Sequence, residues 1–262
     1  MKNNLYRFLL AMTLLTLGAC NKDEILQKFA SPQEQMLAKQ YIRHLQLRQF
    51  EDIEKVVDPA LRDPNLHKSL VQMADLIPVG EPSVVTLIGA QRHIAGDDSS
   101  LNLTYEYGFS GKWILTNVAV KKRADGFSII GFSVIPQLAS IEEINQFSMK
   151  GKSSLHYLML TLAVVFPALT LLALVICARM TLRGRKWPWI LFILTGFGTL
   201  TMNWTSGAIN FIPVSLQLFS ASASSAFYGP WIVSISLPIG ALCFLIFRKN
   251  HAAVPVTPSD SA

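Results

Sequence analysis

Cysteine is nearly absent from this chain, and where it occurs it cannot staple anything. The three cysteines are Cys20, Cys177 and Cys243, and the last two lie inside apolar runs. Residues 21–150 therefore have none, which excludes a disulfide framework or a thiolate metal site there. His44, His67 and His93 stand alone, without a second His or Cys at ligand spacing, so no metal is expected. Negative and positive charge are both missing from Trp187 to Phe247, a stretch of 61 residues. Phosphate-loop glycines are missing as well: Gly151-Lys152-Ser153 has Gln146 where the loop needs its first glycine. No motif asks for a cofactor, and no catalytic constellation is readable. Asp75, His93 and Glu106 are the nearest thing to an acid–base set, and only their convergence in space would make them one.

The net charge of +6 does not mark a nucleic-acid binder. Residues 21–150 hold 14 Lys and Arg against 16 Asp and Glu, a balance of −2. The positive excess sits in the leader, at Lys152, and at Arg179, Arg183, Arg185, Lys186, Arg248 and Lys249. These residues flank apolar runs, where positive charge sets membrane orientation.

What is present begins with a leader. Lys2 and Arg7 precede an apolar run from Phe8 to Leu17, too short to span a bilayer that needs about 20 residues. It ends in Leu17-Gly18-Ala19-Cys20, which resembles the lipobox of bacterial lipoproteins at all four positions. The resemblance implies cleavage between Ala19 and Cys20, with lipid on the Cys20 thiol. It makes 1–19 a signal peptide and 20–30 a lipidated tether. Asn21 would permit transfer to the outer membrane, but downstream spans should hold the chain in the inner one.

Residues 31–136 read as an α+β domain. Ser31-Pro32-Gln33-Glu34 is a helix start with a capping box, followed by Met36, Leu37, Tyr41, His44, Leu45 and Arg48 at helical spacing. Two shorter helices follow, around Glu51–Val57 and from Asp63 to Pro78. The period then changes. Leu101, Leu103, Tyr105, Tyr107 and Phe109 alternate with polar residues, and short turns divide residues 83–135 into a four-stranded antiparallel meander. Helices first and a curled sheet after resembles the cystatin-like, nuclear-transport-factor-like cone. That resemblance implies a pocket or docking face, for which Tyr105, Tyr107, Trp113 and His93 are the candidate lining residues. Members of that class bind, catalyse and assemble, so the fold does not select a function.

Residues 137–154 read as an amphipathic connector and neck. Beyond it, three transmembrane helices are expected at 155–178, 188–204 and 230–247. A basic cytoplasmic loop, 179–187, separates the first two. A cytoplasmic tail, 248–262, follows the third. The uncharged segment 205–229 is expected to hug the periplasmic membrane surface, with Asn203, Asn210 and Gln217 as interfacial polar contacts. The positive-inside rule and the leader agree on orientation: 20–154 periplasmic, C-terminus cytoplasmic.

The sequence points to an inner-membrane lipoprotein presenting a periplasmic binding or assembly module, with membrane lipid and an envelope protein as partners. The alternative is an enzyme or small-ligand binder using the cone interior. A third reading places the work in the spans and in 205–229.

Overall fold

The computed structural model describes residues 28–95, 98–123, 126–182 and 184–251. Ala19, Cys20 and the tail from residue 252 lie outside the described residues. The chain divides into two units, Met1–Ile141 and Glu142–Ala262.

In the first unit, helix α1 (Pro32–Gln46) opens on the capping box. The Ser31 amide donates to Glu34 Oε2 at 2.7 Å, and the Glu34 amide donates back to Ser31 Oγ at 3.3 Å. Two otherwise orphaned donors are thereby satisfied, and Pro32 occupies a position that needs none. Helices α2 (Phe50–Val56) and α3 (Leu66–Leu76) follow, separated by a 3-10 turn at Pro59–Leu61. Strands β1 (Val84–Ala95), β2 (Asp98–Phe109), β3 (Lys112–Arg123) and β4 (Gly126–Gln137) then pair antiparallel in chain order.

Alternation decides which face is buried. Tyr105 pairs with Thr116, Leu103 with Val118 and Leu101 with Val120, so these side chains share one face, and all six are buried. Tyr41, Ile42 and Leu45 of α1, Ile53 of α2 and Leu70 of α3 supply the helical side of the core. Each such burial contributes about 1.5–3 kcal/mol. The Tyr41 ring meets Phe132 of β4 at 4.9 Å. Buried Asp58 anchors the helical layer to the sheet, accepting from Arg123 and from the Ala60 amide.

On the other face, Gly108 lets the Trp113 ring lie against the backbone; a Cβ there would sit 2.7 Å from that ring. Glu106, buried on this face, accepts the Ile141 amide at the start of α4 (Ile141–Ile144). Within the expected connector 137–154, only this single helical turn forms before the next helix begins at Ser154.

The second unit overturns the expected fold class. Only one described helix, α5 (Ser154–Arg179), is long and apolar enough to cross a membrane. The expected span 188–204 is instead a two-turn helix, α6 (Trp187–Leu194), running into strand β5 (Thr195–Asn203). The expected span 230–247 is strand β8 (Trp231–Leu237) followed by helix α7 (Ile239–His251). The segment 205–229 folds as strands β6 (Ile209–Leu218) and β7 (Ala221–Ser225). These four strands form a second antiparallel sheet in the order β6-β5-β8-β7. An α+β cone followed by three transmembrane helices is therefore corrected: the described residues form two four-stranded antiparallel sheets, with helices both before and after the second one. In the first unit the helices lie on one face of the four-stranded sheet, where the core residues sit.

The reason lies in local residue type. Thr195-Gly196-Phe197-Gly198-Thr199 puts two glycines and two β-branched residues where a helix would have to continue. Gly198 takes φ +65, outside any right-handed helix. In β8, Ser234 and Ser236 alternate with Val233 and Ile235, a strand period, and Pro238 ends it.

Chain extension then matches across the unit. Helix α5 is about 39 Å long at 1.5 Å per residue. The α6–β5 and β8–α7 runs reach about 42 Å and 43 Å with strands rising about 3.3 Å per residue. One end is helical: Ala173 and Cys177 of α5 pack with Ile193 of α6 and with Ala241 and Phe244 of α7. The other end is sheet: Met159 of α5 packs on Met202 and Ile235, joined by Leu162, Ala163, Phe166, Leu200 and Ala221. Fully buried Trp204 closes the sheet end. It stacks on Phe147 at 4.6 Å and donates its Nε1–H to the Ser148 carbonyl at 2.9 Å. Its own carbonyl accepts Lys152 Nζ at 2.7 Å.

Candidate functional site

A groove of about 700 Å³ opens in the first unit between α1 and β1. Ile42, Val85 and Tyr107 form its apolar floor, Met36, Lys39 and Arg43 rise along α1, and Glu81 and Pro82 form the opposite wall. The helical repeat explains the α1 side, because residues three and four apart share a face. The loop wall is held at both ends. Gln46 donates its side-chain amide to the Gly80 carbonyl, and Gly80 takes φ +108. The Ser83 amide and hydroxyl both donate to the Gly108 carbonyl, at 2.8 Å and 3.0 Å.

Large apolar side chains stay open to solvent here: Met36 is 57% exposed and Val85 41%. The rim is cationic on balance. Arg43 and Glu81 meet at 3.9 Å as a solvated pair, worth little. Lys39 lies 5.6 Å above the Tyr105 ring, where the π face favours a cation. Burial pushes the Tyr105 phenol up to about 12 and the Tyr107 phenol higher still, so both keep their protons at neutral pH. Strand β1 is an edge of its sheet, with no described strand on its outer side. The groove therefore offers an apolar floor, cationic side chains and a strand edge together.

Tyr105 and Tyr107 sit on the helix-covered face with ring centroids 6.3 Å apart, and Tyr107 lines the groove. Trp113 pairs with Gly108 and so lies on the opposite face. His93 is exposed and pairs with Ser100 toward the far end of β1. Asp75 is ion-paired with exposed Arg48, and Glu106 holds the Ile141 amide, so Asp75, His93 and Glu106 are held apart from one another. In the second unit, Asn203 Oδ1 accepts the Thr205 and Ser206 amides at 3.0 Å each, capping the β5–β6 turn. Gln217 bridges Ser222 at 2.8 Å and Ser236 at 2.9 Å, while Asn210 is exposed on β6. Cys20 lies outside the described residues.

Met36, Lys39, Arg43 and Val85 line the groove although no motif in the sequence marks them. Met36 reads in sequence as part of the core stripe of α1, but the buried positions are Glu34, Ala38, Tyr41, Ile42 and Leu45. The available signal was the 36–39–43 spacing, which sets an apolar residue and two cations on one flank of that stripe.

Among the described residues no group of three or more His, Cys, Asp or Glu could hold a metal ion. Comparison with known proteins finds no family model, no curated protein and no solved structure that matches the chain.

Proposed function

We propose that this chain is a membrane-anchored binding module whose α1–β1 groove receives an extended segment of a partner polypeptide in the bacterial envelope. The groove carries the reading. Its apolar floor beside an unpaired strand edge suits a strand-like segment, which would satisfy its backbone against β1 and set alternate side chains into the floor. Lys39 and Arg43 favour a segment with acidic groups.

The anchoring half of the proposal rests on Leu17-Gly18-Ala19-Cys20 and on α5. It is supported by the charge pattern of the second unit: Arg179 ends α5, Lys186 precedes α6, and Arg248 lies in α7, all at the helical end. Lys186 Nζ caps the Ala178 carbonyl of α5 at 2.9 Å, fixing the basic loop to that end. With the basic end cytoplasmic, the groove-bearing unit, which precedes α5 in the chain, is periplasmic.

The test is site-directed photo-crosslinking in cells. A benzophenone residue at Met36 or Val85 is expected to trap one envelope protein, and the same probe at fully exposed Leu138 is not. Lys39→Glu with Arg43→Glu should cut the adduct several-fold. Equal background from all three positions would remove the groove as the site.

A further inference from the structure

The outer strand of the second sheet is left open in a way that water-free surroundings do not allow. Strand β6 is an edge, ten residues long, and carries no charge. Its apolar side chains project from both faces and stay uncovered: Val214 is 94% exposed and Leu216 69%, with Ile209, Phe211, Ile212 and Leu218 also exposed. The opposite edge, β7, is only five residues and packs beside α5. Proteins that keep a sheet edge free usually protect it with charge or brevity. Strand β6 has neither. In hydrocarbon, backbone N–H and C=O groups find no water, so an unpaired edge there must acquire another strand.

We infer that β6 pairs antiparallel with β6 of a second copy of this chain, joining the two second-unit sheets into one of eight strands. The occupant is argued from the strand's own pattern. A two-fold axis brings a strand onto itself in antiparallel sense, and full overlap of Ile209–Leu218 sets the three outer pairs of each flank against chemically matching residues, with Ile212 against Ser215 and Pro213 against Val214 at the centre. Ile209 then faces Leu218, and Phe211 faces Leu216, apolar against apolar. Asn210 faces Gln217, amide against amide. Each of these pairs lies on one face of the sheet. Phe211 pairs inward with Leu200, and Leu216 with Phe197, on the side of Ile235 and Leu237. Asn210 pairs with Thr201, and Gln217 with Gly196, on the other side. A foreign strand would have to place amides opposite both Asn210 and Gln217 to match this order. Pro213 falls beside the two-fold axis, where its missing N–H removes a donor only at the centre and leaves both flanks to pair.

The inference rests on placing the second unit in the bilayer, and the experiment separates the two. The full-length chain in native membranes carries Ile209→Cys and Leu218→Cys together, each alone, or neither. Both positions are exposed and end β6, so folding is little taxed. They are about 30 Å apart along one strand, far beyond disulfide reach, so any bond between them joins two chains. The double variant is expected to give a reducible species of twice the chain mass after mild oxidation, and each single variant and the unsubstituted chain are not. Resistance to alkaline extraction is measured on the same membranes. A monomer from the double variant in an extraction-resistant chain overturns the pairing, as does equal crosslinking from the single variants or an adduct of another mass. Release by alkali overturns the bilayer placement, and the pairing with it.

Discussion

Glu34 shows how one residue does three jobs at the start of α1. Its carboxylate takes the Ser31 amide and hydroxyl, and it also takes Arg92 of β1 at 3.1 Å. Burial alone would push this carboxyl up, but the hydrogen bonds from Ser31 and the Arg92 guanidinium outweigh it and hold it below its usual 4.5. Asp58 is likewise held low by the Ala60 amide and Arg123. A carboxyl whose folded-state pKa is depressed stabilises the fold above its unfolded value, and that stability is lost as pH falls through the folded one. Amide-exchange protection of α1 and β1 is therefore expected to fall as pH drops from about 4.5 downward, with Glu34→Gln flattening part of the slope. Ser31→Ala should cost about 1 kcal/mol at neutral pH. An unchanged pH slope in Glu34→Gln would exclude this account. The capping box was legible in Ser31-Pro32-Gln33-Glu34, because its partners are three residues apart. Arg92 was not, because it is 58 residues from Glu34 and only the β1 register brings it near.

At the scale of elements, the helix–strand runs depend on close backbone approach. A Cβ at Gly240 of α7 would fall 1.8 Å from the Phe192 carbonyl oxygen at the end of α6. That neighbour is backbone, so no rotamer change relieves the clash. Gly240→Ala is expected to cost about 3 kcal/mol, the upper range for overpacking, read as a lowered melting temperature of the detergent-solubilised chain. Gly184→Ala, with nothing within 4 Å, is the control and should melt as the parent does. A parent-like melt for Gly240→Ala would mean that α6 and α7 do not approach as described. Strand β2 was legible because polar and apolar residues alternate along it. The α6–β5 run was not, since hydropathy over an uncharged stretch says nothing about period. Only Gly196, Gly198 and the Thr199–Thr201 alternation signalled the switch.

For the whole molecule, the two proposed anchors make separable predictions. Cys20→Ala is expected to abolish incorporation of labelled palmitate while the chain still sediments with membranes, as follows from the proposal that the second unit is membrane-held. Retained label would remove Cys20 as the acylation site. Loss from the membrane fraction would show instead that lipid is the principal anchor.

The sequence by itself determined the near-neutral first unit, the capping box, the strand alternation of β2 and the clustering of cations at the ends of apolar runs. These are local or compositional, carried by residues a few positions apart. Tertiary structure alone decided that two expected spans break into half helix and half strand. It also decided that Trp113 and Tyr107 part to opposite faces, and that Met36 and Val85 meet across a groove. Register, close glycine contacts and pairings between distant strands set those outcomes, and no short window of residues contains them.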